Sequence, residues 1–183
     1  PTALQIGLIS ELLPDVAALH ARAEALANTL AGHAPITMAV TKEALRRLLE
    51  MEDGRCLVFA RTKRGTEKLA RTLARIGFKA TSIHGDRTQR ERNEALAGFQ
   101  SGRYRVLVAT DVAARGIHVH DVAHVINYEL PDEAENFIHR VGRTGRAGKM
   151  GVASTLYTRE ERRDIKALEK MLGIRMELMR ETA

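Results

Sequence analysis

The stretch HRVGRTGRAG, residues 139–148, sets Arg140, Arg143 and Arg146 three apart, with Gly142 and Gly145 between them and Gly148 after. A guanidinium presents a rigid fork of donors that matches phosphate oxygens, and glycine lets backbone approach a ligand closely. The same pattern also describes a solvated basic loop, and taken alone the stretch does not choose between the two. Other polar groups cluster ahead of it. HGDRTQRERNEALAGFQSG (84–102) carries Gln89 and Arg92, and VLVATDVAARGI (106–117) carries Thr110, Asp111, Arg115 and Gly116. Arg115 has a structural alternative, a salt bridge to Asp111 within its own loop. His118 and His120 would share a face of an extended segment, but two histidines make a poor zinc site, and no metal is expected. Cys56 lies in the apolar run CLVFA, which suits a buried inert thiol better than a nucleophile.

These residues belong to a chain of 183, long enough for one domain, or one domain with an appendage, and a real core. No apolar run approaches a membrane span, and no signal peptide is expected. One cysteine allows no internal disulfide, and a reducing, cytoplasmic setting is expected. The net charge of +6 is unevenly placed. Residues 1–41 hold Arg22 against Glu11, Asp15 and Glu24, so the rest of the chain carries the whole excess. Between 61 and 105 there are 12 Lys/Arg against 4 Asp/Glu. Such a stretch suits a polyanion, although solvated helix faces also produce one.

From residue 56 onward short apolar runs alternate with helical patterns. The runs are CLVFA (56–60), ATSIH (80–84), VLVA (106–109), VAHVIN (122–127) and GVASTLY (151–157). Leu69, Leu73 and Ile76 fall at helical spacing, and Gly77 stands where a glycine closes a helix. TQRE (88–91) has capping-box form, and TREE (158–161) repeats it before an amphipathic stretch with Ile165, Leu168 and Leu172. Alternation of this length predicts an α/β fold, parallel strands with helical crossovers. Ligands on such sheets collect at the carboxyl ends of strands, where HGD, ATD and the arginine loop are expected to fall.

Residues 1–50 read differently, being rich in alanine and poor in lysine until Lys42. Asp15 is placed to cap a helix on which Val16, Leu19, Ala23, Leu26 and Leu30 form a narrow apolar seam. GHAP (32–35) is expected to break it. The next segment reads as a strand through Ile36, Met38 and Val40, or as a helix through Ile36, Val40, Ala44 and Leu48, and the proline favours helix.

From about 45 to 175 the chain resembles the second RecA-like lobe of DEAD-box RNA helicases. LVFARTKRGTEKLA (57–70) is similar to the motif IV region, the 84–102 stretch to that bearing the Gln-x-x-Arg element, VLVATDVAARGI to motif V, and HRVGRTGR (139–146) to motif VI. The segment ALQIGLISELLPDVAALHARAEALANTLAGHAPITMAVTKEALRR resembles instead the C-terminal part of an enoyl-CoA hydratase (crotonase) chain, without that family's catalytic residues. The two resemblances imply a chimera: a helical segment over 1–45 appended to a RecA-like parallel-sheet sandwich over 46–183.

The helicase resemblance implies Arg143 and Arg146 as arginine fingers towards the γ-phosphate of ATP on a partner lobe, with His139 and Arg140 ordering that interface. It implies RNA-backbone contacts from Gln89, Arg92, Thr110, Asp111, Arg115 and Gly116. The sequence has no G-x-x-x-x-G-K-[ST] loop and no Asp-Glu-Ala-Asp box, so no ATP turnover is expected of this chain alone, and ATP with Mg only beside a partner lobe. Where the family usually places the aspartate that contacts the nucleotide ribose, this sequence has His118, which puts that contact in doubt. With no Trp and few other aromatics, RNA binding is expected to be weak, sequence-independent and salt-dependent. The alternative function is a non-catalytic module that pairs with a second copy through the N-terminal seam.

Overall fold

The structure is a computed structural model that describes residues 14–115, 119, 122–131, 133–145 and 151–179, leaving aside the side chains of 25–39. The chain divides into two compact units, Pro1–Val40 and Thr41–Ala183.

In the first unit the described backbone is helical. Helix α1 runs Val16–Glu50, with its last turns in the second unit. Its start follows the sequence, the Asp15 carboxylate accepting the Ala18 N–H at 2.7 Å. The break expected at GHAP does not occur, since the backbone stays helical through Gly32 and Pro35. A proline removes one backbone bond, but the alanine- and leucine-rich turns around it favour helix, and here the flanks prevail. The helical reading of 36–48 holds for the same reason. Val16, Leu19 and Val40 are exposed.

The second unit is built on five strands, each four residues long: β1 Cys56–Phe59, β2 Ala80–Ile83, β3 Val106–Ala109, β4 His124–Asn127 and β5 Val152–Thr155. All neighbours pair in parallel, in the order β2-β3-β1-β4-β5. β1, β3 and β4 are buried throughout; CLVF and VLVA are accordingly unbroken apolar runs, while β4, HVIN, buries His124 and Asn127 against Ser154 and Thr155 of β5. Alternate residues serve opposite faces. Cys56 and Val58 of β1 join Leu45, Leu48 and Leu49 of α1, and Leu69 and Leu73 of α2 (Lys63–Arg75), in one core. Leu57 and Phe59 join Phe99 of α3 (Gln89–Gln100), with Ala113 and Ala114 of α4 (Asp111–Ala114), in the other. Leu45 and Leu49 are fully buried, each contributing about 1.5–3 kcal/mol relative to exposure. Helices α5 (Ala134–Val141) and α6 (Arg162–Leu172) complete the unit.

Local signals set the helix ends. The Thr88–Glu91 capping box is formed in both directions. After α2, the Phe78 N–H reaches back to Leu73 O at 3.0 Å and the Gly77 N–H to Ala74 O at 3.2 Å, a turn that puts Gly77 at φ 98°. The TREE box also forms, with the Thr158 N–H on Glu161 Oε2 at 2.8 Å, but as a separate turn; α6 starts one residue later, at Arg162. Two arginines cap from a distance. Arg55 donates to Gln100 O at 3.0 Å at the end of α3, and Arg105 to Leu49 O at 2.9 Å at the end of α1. They line a concavity of about 760 Å³ near the amino ends of the strands, and much of its positive charge is thus committed to carbonyls. Burial pushes the Cys56 thiol up to about 11, as an inert core cysteine requires.

Candidate functional site

At the carboxyl ends of β1, β3 and β4 the chain needs a partner for a ring of polar ends, and Arg140 of α5 supplies it. Helical side chains lean towards the helix N-terminus, so Arg140 reaches back up to the strand ends. Its Nε and Nη2 donate to the two carboxylate oxygens of Asp111 at 2.6 and 2.7 Å. Nη1 donates to Glu129 O at 2.7 Å and to Asn127 Oδ1 at 3.2 Å, and the guanidinium stacks over Phe59 with 5.0 Å to the ring centroid. Arg140 is 1% exposed. Asp111 thus spends both oxygens inside the protein. Arg115 does not form the ion pair weighed from sequence; its Nη2 donates instead to Asn136 Oδ1 of α5 at 2.8 Å. Thr110 is buried as the residue before α4, its N–H on Ile83 O.

A second polar assembly ties the HGD loop to α2. Glu67 Oε2 accepts from Ser82 Oγ at 2.7 Å, Arg87 Nη2 at 2.9 Å and His84 Nε2 at 3.1 Å. Burial alone would raise the Glu67 carboxyl, but the bonds from Ser82, His84 and Arg87 outweigh it and hold it at about 2. The loop leads into α3, where Gln89 and Arg92 sit one turn apart, with Arg92 Nη1 3.4 Å from Gln89 Oε1. His84 Nδ1 and Arg92 Nε are buried without a hydrogen-bond partner among the described residues. Sequence reasoning did not single out Glu67. Its signal was available: it is one of only four acids in the basic stretch 61–105.

The arginine loop lies elsewhere than expected. A strand of four residues spans about 13 Å and a helix of eight about 12 Å, so α5 returns the chain to the amino end of β4. There Thr144 Oγ1 donates to Val122 O at 2.6 Å, and Val122 and Thr144 bridge in parallel. Only HGD and ATD occupy the carboxyl ends. Arg143 Nε donates to His139 O at 3.3 Å, and His139 lies 3.4 Å from Glu135. Gly145 takes φ 67°, a conformation open to glycine. Gly116, His118, His120 and Arg146 lie outside the described residues. Among the described residues no group of His, Cys, Asp and Glu could hold a metal ion.

The family model for the helicase conserved C-terminal domain matches residues 40–148. The chain belongs to that family. The ATP-dependent RNA helicase dbp2 of Neosartorya fischeri is 44% identical over 128 residues, 70% of this chain and 24% of that protein. Among solved structures, a DEAD box protein from the hyperthermophile Methanococcus jannaschii superposes with a TM-score of 0.71 at 42% identity, covering 76% of this chain and 39% of that one. The E. coli DEAD-box protein SrmB, bound to regulator of ribonuclease activity A, gives 0.68 at 36% identity, with 72% of this chain and 78% of that one covered. The five-stranded parallel sheet is thus the RecA-like fold of DEAD-box C-terminal lobes. The chain spans about a quarter of the length of the curated relative. Residues 1–39 fall outside the family match.

Proposed function

We propose that the chain acts as a DEAD-box C-terminal lobe that holds RNA by its sugar-phosphate backbone and offers arginines to a nucleotide on a partner lobe. The observation that carries this reading is Arg140, which fastens Asp111, at the strand end beside Thr110 and Arg115, to the helix bearing His139 and leading to Arg143. Gln89, Arg92, Thr110, Arg115 and Gly116 are the proposed backbone contacts. Asp111 we assign to holding that surface in place, since its carboxylate already faces Arg140. Charge and hydrogen bonds to phosphate carry affinity without sequence information.

ATP is the cofactor that the relative's name implies, magnesium would accompany it as in phosphoryl transfer generally, and this chain fits one side of such a site. Arg143 and Arg146, beside glycine backbone, would oppose phosphate charge, while a phosphate loop and a metal-holding acid would come from a partner lobe. ATP bound there supplies the phosphoryl bond to be broken; what this chain contributes is cationic stabilisation and orientation. His118 can exchange a hydrogen bond with a ribose hydroxyl but offers no fixed anionic acceptor.

A salt titration of single-stranded RNA tests the reading. Affinity falls steeply as salt rises, and Arg92→Ala and Arg115→Ala each weaken it about equally for all sequences. Binding that survives roughly 0.5 M salt, or a strong sequence preference, contradicts it. Phosphate release from ATP by the chain alone, RNA-stimulated and above a buffer control, contradicts the division of labour between lobes. His118→Asp is expected to tighten adenine-nucleotide binding in a fluorescent-nucleotide titration, and equal affinities would remove that position from the nucleotide site.

For the N-terminal segment, the exposed Val16, Leu19 and Val40 favour an added reading, pairing with a second copy; its crotonase-like, fused origin rests on the sequence resemblance alone.

A further inference from the structure

Helix α6 begins with both signs of charge, Asp164 in its first turn and Glu160 and Glu161 just ahead of it. The N-terminus of a helix carries partial positive charge and favours acids. Yet Arg159, just ahead of it, and Arg162, Arg163 and Lys166 within its first turns stand at positions i, i+3, i+4 and i+7, the spacing of a single helix face. All four are exposed, and among the described residues none forms an ion pair, whereas Arg46, Arg71, Arg87, Arg90 and Arg140 each do. Together with Glu160 they line a concavity of about 530 Å³. Of the acids of the same segment, Glu160 lines the concavity beside the four cations, Glu161 accepts the Thr158 N–H, and Asp164 is not among the lining residues, so cations still outnumber acids in the lining. Four exposed cations gathered around one concavity, with no ion pair among the described residues, are not explained by folding stability, and such local conflicts mark function.

We infer that this face is a second phosphate-binding surface, which extends the RNA path of the lobe beyond the motif residues and onto α6. The inference rests on the RNA-binding reading above. Two features favour RNA over an acidic protein. The lining is five long charged side chains with no apolar residue, whereas protein docking draws its affinity from buried aromatic or aliphatic anchors. Arginine-rich, anchor-free surfaces suit a backbone read only through its phosphates. Position agrees. α6 follows β5, so its first turn lies at the carboxyl end of the sheet, the same end as Thr110 and the HGD loop. β3 and β5 are three strand spacings apart, about 14 Å, so one strand of a few nucleotides can reach both. The stripe from Arg159 to Lys166 rises about 10 Å, room for more than one phosphate.

The test compares two single-stranded RNAs of about five and about twenty nucleotides, on the full chain and on Arg162→Ala/Arg163→Ala/Lys166→Ala, with thermal melting as the control for folding. The wild-type chain is expected to gain affinity with length. The triple variant is expected to bind the short RNA unchanged, to lose the length gain, and to lower the salt slope on the long RNA by about 2, near 0.7 for each phosphate contact removed. A length gain that survives in the variant overturns the inference, as does a surface that captures an acidic polypeptide while leaving RNA affinity untouched. If the short RNA binds through Arg92 and Arg115 but length adds nothing, the α6 surface fails and the motif reading stands. If the length gain persists in Arg92→Ala/Arg115→Ala while short-RNA binding never depended on those residues, the motif reading fails and the α6 surface stands. No RNA binding at either length rejects both.

Discussion

Truncating Arg140 to alanine leaves Asp111 facing an emptied pocket above Phe59, with Asn127 and the Glu129 carbonyl short of a donor. Breaking a buried pair from one side costs about 3–5 kcal/mol, and urea denaturation is expected to show a loss in that range for Arg140→Ala. Arg140→Lys keeps the charge but not the fork, so it recovers part of the loss only. A loss below about 1 kcal/mol for the alanine variant would mean that the cluster contributes like a surface pair. A second residue guards the arginine loop. A methyl group at Gly151 would run into the backbone of Gly145 and the hydroxyl of Thr144. Gly151→Ala is expected to lower stability by about 1–3 kcal/mol, the cost of forced overpacking, measured as a fall in melting temperature. An unchanged melting temperature would place the two segments apart.

Between elements, the joint of α2 with β2 is electrostatic, and it sets an acid limit. The Glu67 carboxyl is held at about 2 against an ordinary 4.5. Its bonds to Ser82, His84 and Arg87 therefore add stability that is complete above 4.5 and is lost as pH falls towards 2. His124, between β1 and β5 and 2.9 Å from Ser154 Oγ, adds an earlier step. Burial lowers its pKa below 6.5, so the fold holds the ring neutral and begins to lose that stability as pH drops through the range of a free imidazole. Melting temperature is expected to fall in two stages, with Glu67→Gln reducing the lower, to which Glu43, also held at about 2, contributes as well, and His124→Gln removing the upper; a profile unchanged by either substitution would contradict the assignment. These joints also show where sequence was readable. VLVA is a strand over its whole length, and Gly77 and Thr88–Glu91 end and begin helices as their types demand, because those signals act within a few residues. Glu67 and Arg140 act across 15 and 29 positions, and no local pattern announces such partners. The side on which the arginine loop falls follows from matching the length of α5 to that of β4, a matter of geometry rather than residue type.

For the whole molecule, the second unit can be described without the first: its sheet is covered by α2 and the last turns of α1 on one face and by α3 and α4 on the other. The first unit leaves Val16, Leu19 and Val40 in water, and each large apolar side chain so exposed forgoes about 1.5–3 kcal/mol. Sedimentation equilibrium at micromolar concentration is expected to find a dimer that Val16→Lys/Leu19→Lys dissociates. A monomer with an unaltered melting temperature after removal of residues 1–34 would contradict pairing through this helix.

Cys56 sits at the start of the central strand, fully covered, its thiol held in the unreactive protonated form. An alkylating reagent can therefore reach it only when the sheet opens. As the chain's one thiol, it makes the protein its own stopwatch: the rate of alkylation under native conditions reads the free energy of opening the sheet's central strand, without any label. Conversely, a new surface cysteine on α6 would carry a dye alone, because the native thiol stays silent for as long as the fold is closed.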